Sequence, residues 1–209
     1  MISFATLSAF VVIVIGLFII PGPAVLLVGS RAAQGGRKAG IIAGLGIAAG
    51  DLVHTLFAAI GLSAILMTSS IAFNAVKFAG AAYLLYLGVR AILEKPSDPQ
   101  LPNVAPQTSA KVFGQAIVIE ILNPKTSLFF LSFLPQFVHP ERGSTLLQFL
   151  ILGLVFVLLS AIYTSILAVG IQAIGRMVKR ISWLGRWSGK IVGTIYIALG
   201  LKVAFQNHK

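Results

Sequence analysis

Apolar residues run along the chain in six long blocks, at 4–29, 40–67, 71–92, 112–138, 146–174 and 189–205. None alternates apolar with polar positions as a lipid-facing strand would, and each meets the roughly 17–25 residues that carry a helix across a bilayer. Only helices and closed barrels satisfy their backbone in lipid, so the pattern predicts an all-α membrane protein with six transmembrane helices. A polar segment at 94–111, with Pro96, Pro99, Pro102 and Pro106, separates three blocks from three. It reads as a flexible linker, too polar and Pro-rich to pack, between one unit at 1–93 and another at 112–209. The first block does not read as a cleaved leader: no Lys or Arg precedes it, and it continues past Pro23 without a small-x-small cleavage pattern.

Composition agrees with the pattern. The 209 residues are 57% hydrophobic and 10% charged, where a soluble domain carries roughly 25% charged residues. No sizeable soluble domain fits between the spans. The absence of Cys excludes disulfides, thiol redox chemistry and thiolate metal sites. A net charge of +11 does not point to nucleic acid here, because the cations sit in short connections rather than on one soluble face. Arg31, Arg37, Lys38, Arg90, Lys95, Lys111, Arg176, Lys179, Arg180, Arg186 and Lys190 fall in the odd-numbered connections, against Arg142, Lys202 and Lys209 on the other side. That bias places the linker in the cytoplasm and both termini outside.

The two units resemble each other. A shift of 109 positions aligns His54-Thr55 with Tyr163-Thr164 and Gly61 with Gly170. A shift of 113 aligns Lys77, Gly80 and Tyr83 with Lys190, Gly193 and Tyr196. Each unit opens with an apolar block that proline interrupts, at Pro21 and Pro23 and again at Pro124. Three spans are an odd number, so two copies must lie in opposite senses across the membrane. This is the inverted-repeat plan of many secondary transporters, with a site near the midplane opened to each face in turn.

Several polar residues interrupt the spans. Pro21-Gly22-Pro23 removes two backbone donors, which leaves either a kinked helix or two half-helices whose inner ends are free to bind a solute. Asn123-Pro124-Lys125 repeats the break and adds an amide and a cation about a dozen residues from either end of the block. Asp51 lies near the centre of the second span, a depth that reads as a proton or substrate site or as an ion pair with Lys125. His54 shares its helical face and is either a relay or a packing residue. Glu120, closer to a span end, is the next acidic candidate. Gly40, Gly44, Gly46, Gly50 and the series Gly185, Gly189, Gly193 give four-residue spacings that allow close helix contact, within the chain or in a homodimer. No phosphate loop, His-Glu-x-x-His or Gly-x-Ser-x-Gly motif is present, so ATP-driven pumping and hydrolysis have no support and no cofactor is implied.

Taken together, Pro21-Gly22-Pro23, Gly50-Asp51, Lys77-x-x-Gly80-x-x-Tyr83, Asn123-Pro124-Lys125 and Phe133-Leu134-Pro135-Gln136-Phe137 resemble the lysine exporter and homoserine/threonine resistance family of bacterial amino-acid exporters. The resemblance covers nearly the whole chain. It implies export of amino acids or close derivatives across the bacterial inner membrane, powered by protons. The half-helix ends with Lys125 then receive the substrate carboxylate, and Asp51 exchanges a proton or faces the ammonium. A carrier of another small solute is the alternative, but one intramembrane Asp with no cluster of Glu, His or Met offers a divalent cation too few ligands.

Overall fold

The computed structural model describes residues 2–19, 21–93 and 101–180, with positions 190, 193, 194, 196–198, 200 and 201. Most of the sixth predicted span, Arg186 and the first part of the linker lie outside these. All regular structure among the described residues is helical. Helix α1 covers Phe4–Ile19 and α2 covers Pro23–Phe57, so the chain is broken where Pro21-Gly22-Pro23 predicts. A π-turn at Ala58–Leu62 continues α2 into α3, Ser63–Thr68. Then come α4, Ser70–Leu93; α5, Ser109–Ile121; α6, Pro124–Ser132; and α7, Thr145–Arg180.

Within α2 the chain turns back on itself at Gly36, whose φ of 80° and ψ of 171° lie outside the helical region and favour a residue without a side chain. A Cβ on Gly40 would lie 2.6 Å from that of Ala32, although eight residues of continuous helix would separate them by about 12 Å. The two arms of α2 are therefore antiparallel neighbours, and Gly36 is the tip of their hairpin. Its counterpart is Gly143, the other positive-φ glycine among the described residues (φ 122°), which opens the turn into α7. There Gln148 braces the loop, donating to the His139 and Gly143 carbonyls at 2.9 and 3.1 Å and accepting from the His139 amide at 2.9 Å.

The fourth predicted block is a bent pair: Ser109–Ile121 and Pro124–Phe137 meet at 49°. Its helix stops at Ser132, earlier than the apolar pattern suggests, because Pro135 cannot donate to the preceding turn. The chain continues as tight turns at Leu134–Phe137 and Pro140–Arg142. Pro23–Ile65 and Thr145–Ile171 are long and apolar enough to cross a membrane, the first of these folded at Gly36. On α7, Leu147, Leu154, Leu158, Ile162 and Ile166 stay exposed, an apolar stripe suited to lipid.

The second arm of α2 packs between α5 and α7. Gly46 and Gly50 bring it against Phe113, Ala116 and Glu120, while Gly40 and Gly44 bring it against Ala168 and Thr164. These glycines are used inside the chain and leave no free stripe for a second copy. Of the other series, Gly193 lies against Gly88 and Ile92, and Gly185 and Gly189 are outside the described residues. The α2–α7 contacts are reciprocal. Gly44 meets Thr164, Gly153 meets Thr55, and a shift of 109 converts one pair into the other. Both threonine hydroxyls donate to the carbonyl one turn back, Thr55 to Asp51 at 2.9 Å and Thr164 to Ser160 at 2.8 Å. Equivalent contacts should respond equally: Gly44→Ala and Gly153→Ala are each expected to destabilise the protein by about 1–3 kcal/mol through overpacking. Thermal unfolding in detergent measures this, and an unchanged melting temperature in either variant would contradict the packing described.

Two cores fill the bundle. Toward the Gly143 end lies a cluster built on Phe10, Phe129, Phe130, Phe133, Phe149 and Phe156. Toward the hairpin end the core is made of smaller residues, Ala24, Val28, Ala32, Ala43, Ala116 and Ala168 among them. The linker corrects the expectation of a segment that does not pack. Over 101–107 it lies on the first arm of α2, where Gln34 donates to the Pro102 carbonyl at 2.8 Å and accepts from the Val104 amide at 2.9 Å. Arg31, 3% exposed, reaches two of its oxygens, on Ala105 and Gln107, and one of α5, on Gln115.

Candidate functional site

The two helix breaks face each other. At the first, Gly22 is extended (φ −124°, ψ −176°) and no side chain caps α2, which begins on Pro23. Its leading amides are thus available to an acceptor, and the helix dipole favours an anion there. At the second, Asn123 caps α6, its Oδ1 accepting from the Lys125 amide at 3.1 Å, with Pro124 in the favoured first position. The Asn123 amide also donates to Glu120 Oε2 at 3.1 Å, so one side chain ends α5 and starts α6. Lys125 extends across the gap and donates from Nζ to the Leu17 carbonyl at 2.7 Å, one of the last carbonyls of α1, where a cation is favoured. Its stem passes Gly22, where a Cβ would sit 3.5 Å from Lys125 Cδ.

Behind this cation lie two carboxyl groups. Asp51 and Glu120 are 1% and 2% exposed. The Asp51 carboxyl faces Glu120 and the Ser160 hydroxyl, and its Oδ2 has no hydrogen-bond partner. The carboxyl that acts electrostatically on Lys125 is Glu120, so Asp51 is set against a second acid rather than paired with the lysine. Both carboxyls, Asn123 and Lys125 line one cavity of about 30 Å³. The hydroxyl residues Thr126, Ser160 and Thr164 supply a polar part of its wall, and Leu17, Val25, Ile47, Phe18, Phe156 and Tyr163 an aliphatic and aromatic part. Phe18 joins the last two, edge-on to Phe156 at 5.3 Å and stacked on Tyr163 at 5.2 Å. Ligand pockets are about 300 Å³ or more, so this is a closed site with room for a water or two.

The structure brings Gly22, Asp51, Glu120, Asn123 and Lys125 to the cavity. Pro21, Pro23 and Pro124 are exposed and shape the breaks without lining it. His54 points elsewhere. Its Nε2 lies 2.9 Å from the Glu120 carbonyl oxygen, and its ring stacks on Phe130 at 5.7 Å, tying α2 to the α5–α6 corner. Ser160 and Phe18 belong to the site without having been singled out by sequence, and Tyr163 and Thr164, which the sequence marks as repeat partners of His54 and Thr55, are not marked there as site residues. The shift of 109 pairs Asp51 with Ser160, a signal that could have found it.

The comparisons with known proteins agree with one another. The model of the LysE type translocator family matches residues 15–207. A leucine efflux protein of an Enterobacter species is 29% identical over 197 residues, 91% of this chain and 92% of that one. Uncharacterized membrane proteins of Pseudomonas aeruginosa and Bacillus subtilis, the latter YrhP, are each 34% identical, covering 91% and 94% of this chain and 91% and 97% of their own. No solved structure matches.

Proposed function

The chain belongs to the LysE type translocator family, and on that premise we propose that it exports amino acids with aliphatic side chains from the bacterial cytoplasm in exchange for protons. One observation carries this reading. A single cavity offers a cation and an uncapped helix start for a carboxylate, a pair of acids for an ammonium, and an apolar wall for a side chain. The name of the relatives, leucine efflux protein, supports leucine as the first substrate to try. Asp51 faces Glu120, and in this reading Asp51 carries the proton that an incoming ammonium displaces.

The reciprocal contacts of Gly44 with Thr164 and of Gly153 with Thr55 support an architecture of two inverted three-helix repeats, in which the site opens to each face alternately. The hairpin tip and residues 101–107 share one end of the bundle, which supports a common cytoplasmic side for the first and third connections. The inner membrane is then the location, with both termini outside.

Proteoliposomes preloaded with leucine test this function. Efflux above that of empty liposomes, accelerated by a pH gradient, is expected. If no aliphatic amino acid leaves faster under any gradient, the reading is wrong. Because the chain has no Cys, a single Cys in place of Asn103 reports orientation, and labelling by an impermeant reagent in intact cells would reverse it.

A further inference from the structure

Arg31 carries chemistry that the central site does not use. A guanidinium stays charged in any protein environment, and burying one is costly unless an anion or several acceptors replace its water. Arg31 is 3% exposed, yet it forms no salt bridge among the described residues. Its acceptors are three neutral oxygens, each at 2.7 Å: the Ala105 carbonyl on Nη1, and the Gln107 and Gln115 side chains on Nη2. Its Nε–H, on the edge shared with Nη2, is buried without an acceptor. The fork is thus built for a bidentate anion and is held by substitutes that leave one donor unanswered.

Its place in the fold gives that fork a purpose. Arg31 follows Ala24, a cavity-lining residue, by seven positions, so it lies on the same helical face about 10 Å nearer the hairpin end. Over this face lies the strap 101–107, anchored by Arg31, by Gln34 and by Leu101, whose Cδ2 would sit 3.1 Å from a Cβ on Gly29.

We propose that Arg31 is a second, outlying carboxylate site: a substrate approaching from the hairpin end trades the oxygens of Ala105, Gln107 and Gln115 for its own carboxylate and thereby frees the strap. This rests on the export reading and deepens it, since the same carboxylate then passes along the Ala24 face to Lys125. The strap is a latch that the cargo opens, and a solute without an anionic group does not open it.

Spin labels on Cys placed at the exposed positions 38 and 103 of the otherwise cysteine-free protein, in nanodiscs, report the gap between hairpin and strap. Leucine and isocaproate, its analogue without the amine, are expected to lengthen this distance, whereas leucinamide and isocaproamide leave it unchanged. Gln107→Ala with Gln115→Ala should lower severalfold the leucine concentration that half-completes the shift. Arg31→Lys, which keeps the charge and loses the fork, should raise it, and Arg31→Gln should hold the strap open without ligand. If acids and amides act alike, or if neither acid moves the strap, Arg31 is only an anchor and the inference fails. Should leucine fail while the proteoliposomes still export it, only the latch is lost. Should leucine not be exported at all, the isocaproate pair decides the latch by itself.

Discussion

Asp51→Asn is expected to bring leucine efflux driven by a pH gradient down to background, roughly a hundredfold, because a side chain that cannot ionise leaves the gradient nothing to act on. Asn keeps the size of Asp51 and its contact with Ser160, so exchange of leucine for leucine should survive. The surroundings also fix what should not happen. Had Asp51 been the partner of Lys125, its neutralisation would strand a buried cation and cost about 3–5 kcal/mol. The acid acting on Lys125 is Glu120, so Asp51→Asn should express and melt like the parent, and Glu120→Gln should not. Proteoliposome efflux and exchange, measured beside thermal unfolding, separate these outcomes. Full gradient-driven efflux from well-folded Asp51→Asn protein would move the proton elsewhere, with Glu120 the next residue to change.

Lys125→Met should have the second large effect, on binding rather than on coupling. Met fills the space of the stem beside Gly22 and removes the ammonium that bonds the Leu17 carbonyl. A charge-assisted hydrogen bond is worth about 1.5–3 kcal/mol, so the leucine concentration for half-maximal efflux should rise roughly a hundredfold. The variant also leaves Glu120 facing the cavity without its cation, and the melting temperature should fall. Adding Glu120→Gln should restore stability and not transport, because it removes the stranded charge without supplying a cation for the carboxylate. Half-maximal efflux near the parent value in Lys125→Met would show that the carboxylate binds elsewhere.

The parts of this site that the sequence revealed are those with a local physical signature. Two prolines around a glycine cannot continue a helix, and Asn-Pro interrupts one; the breaks lie at those residues. Asp51 stood out as an acid within an apolar block, but the second acid that it faces, Glu120, is not announced by its position. Arg31 was hidden because it sits among Arg37 and Lys38 in what reads as a connection. Its acceptors come from positions 74 to 84 residues away, and no local pattern announces them. The linker was misread for a related reason: proline and polar residues describe a backbone that does not form a helix, not one that has nothing to lie on. The glycine spacings were legible as close contacts, but spacing does not say which helix comes close. Ser160 is an ordinary serine until its register against Asp51 is noticed.

The two ends of the bundle are sealed with unlike materials, and this makes the two gates unequal. Separating the Gly143 end wets phenylalanines that each bury about 150–250 Å², at about 25 cal/mol per Å². Lifting the strap wets alanines and trades hydrogen bonds for water, at about 0.5–1.5 kcal/mol per bond. The hairpin end is therefore the cheaper of the two to open once cargo has released the strap, and the other end the costlier. On the orientation proposed above, the cheaper gate faces the cytoplasm, so the molecule loads readily on the side where cargo accumulates, while the gradients alone set the direction of net flow.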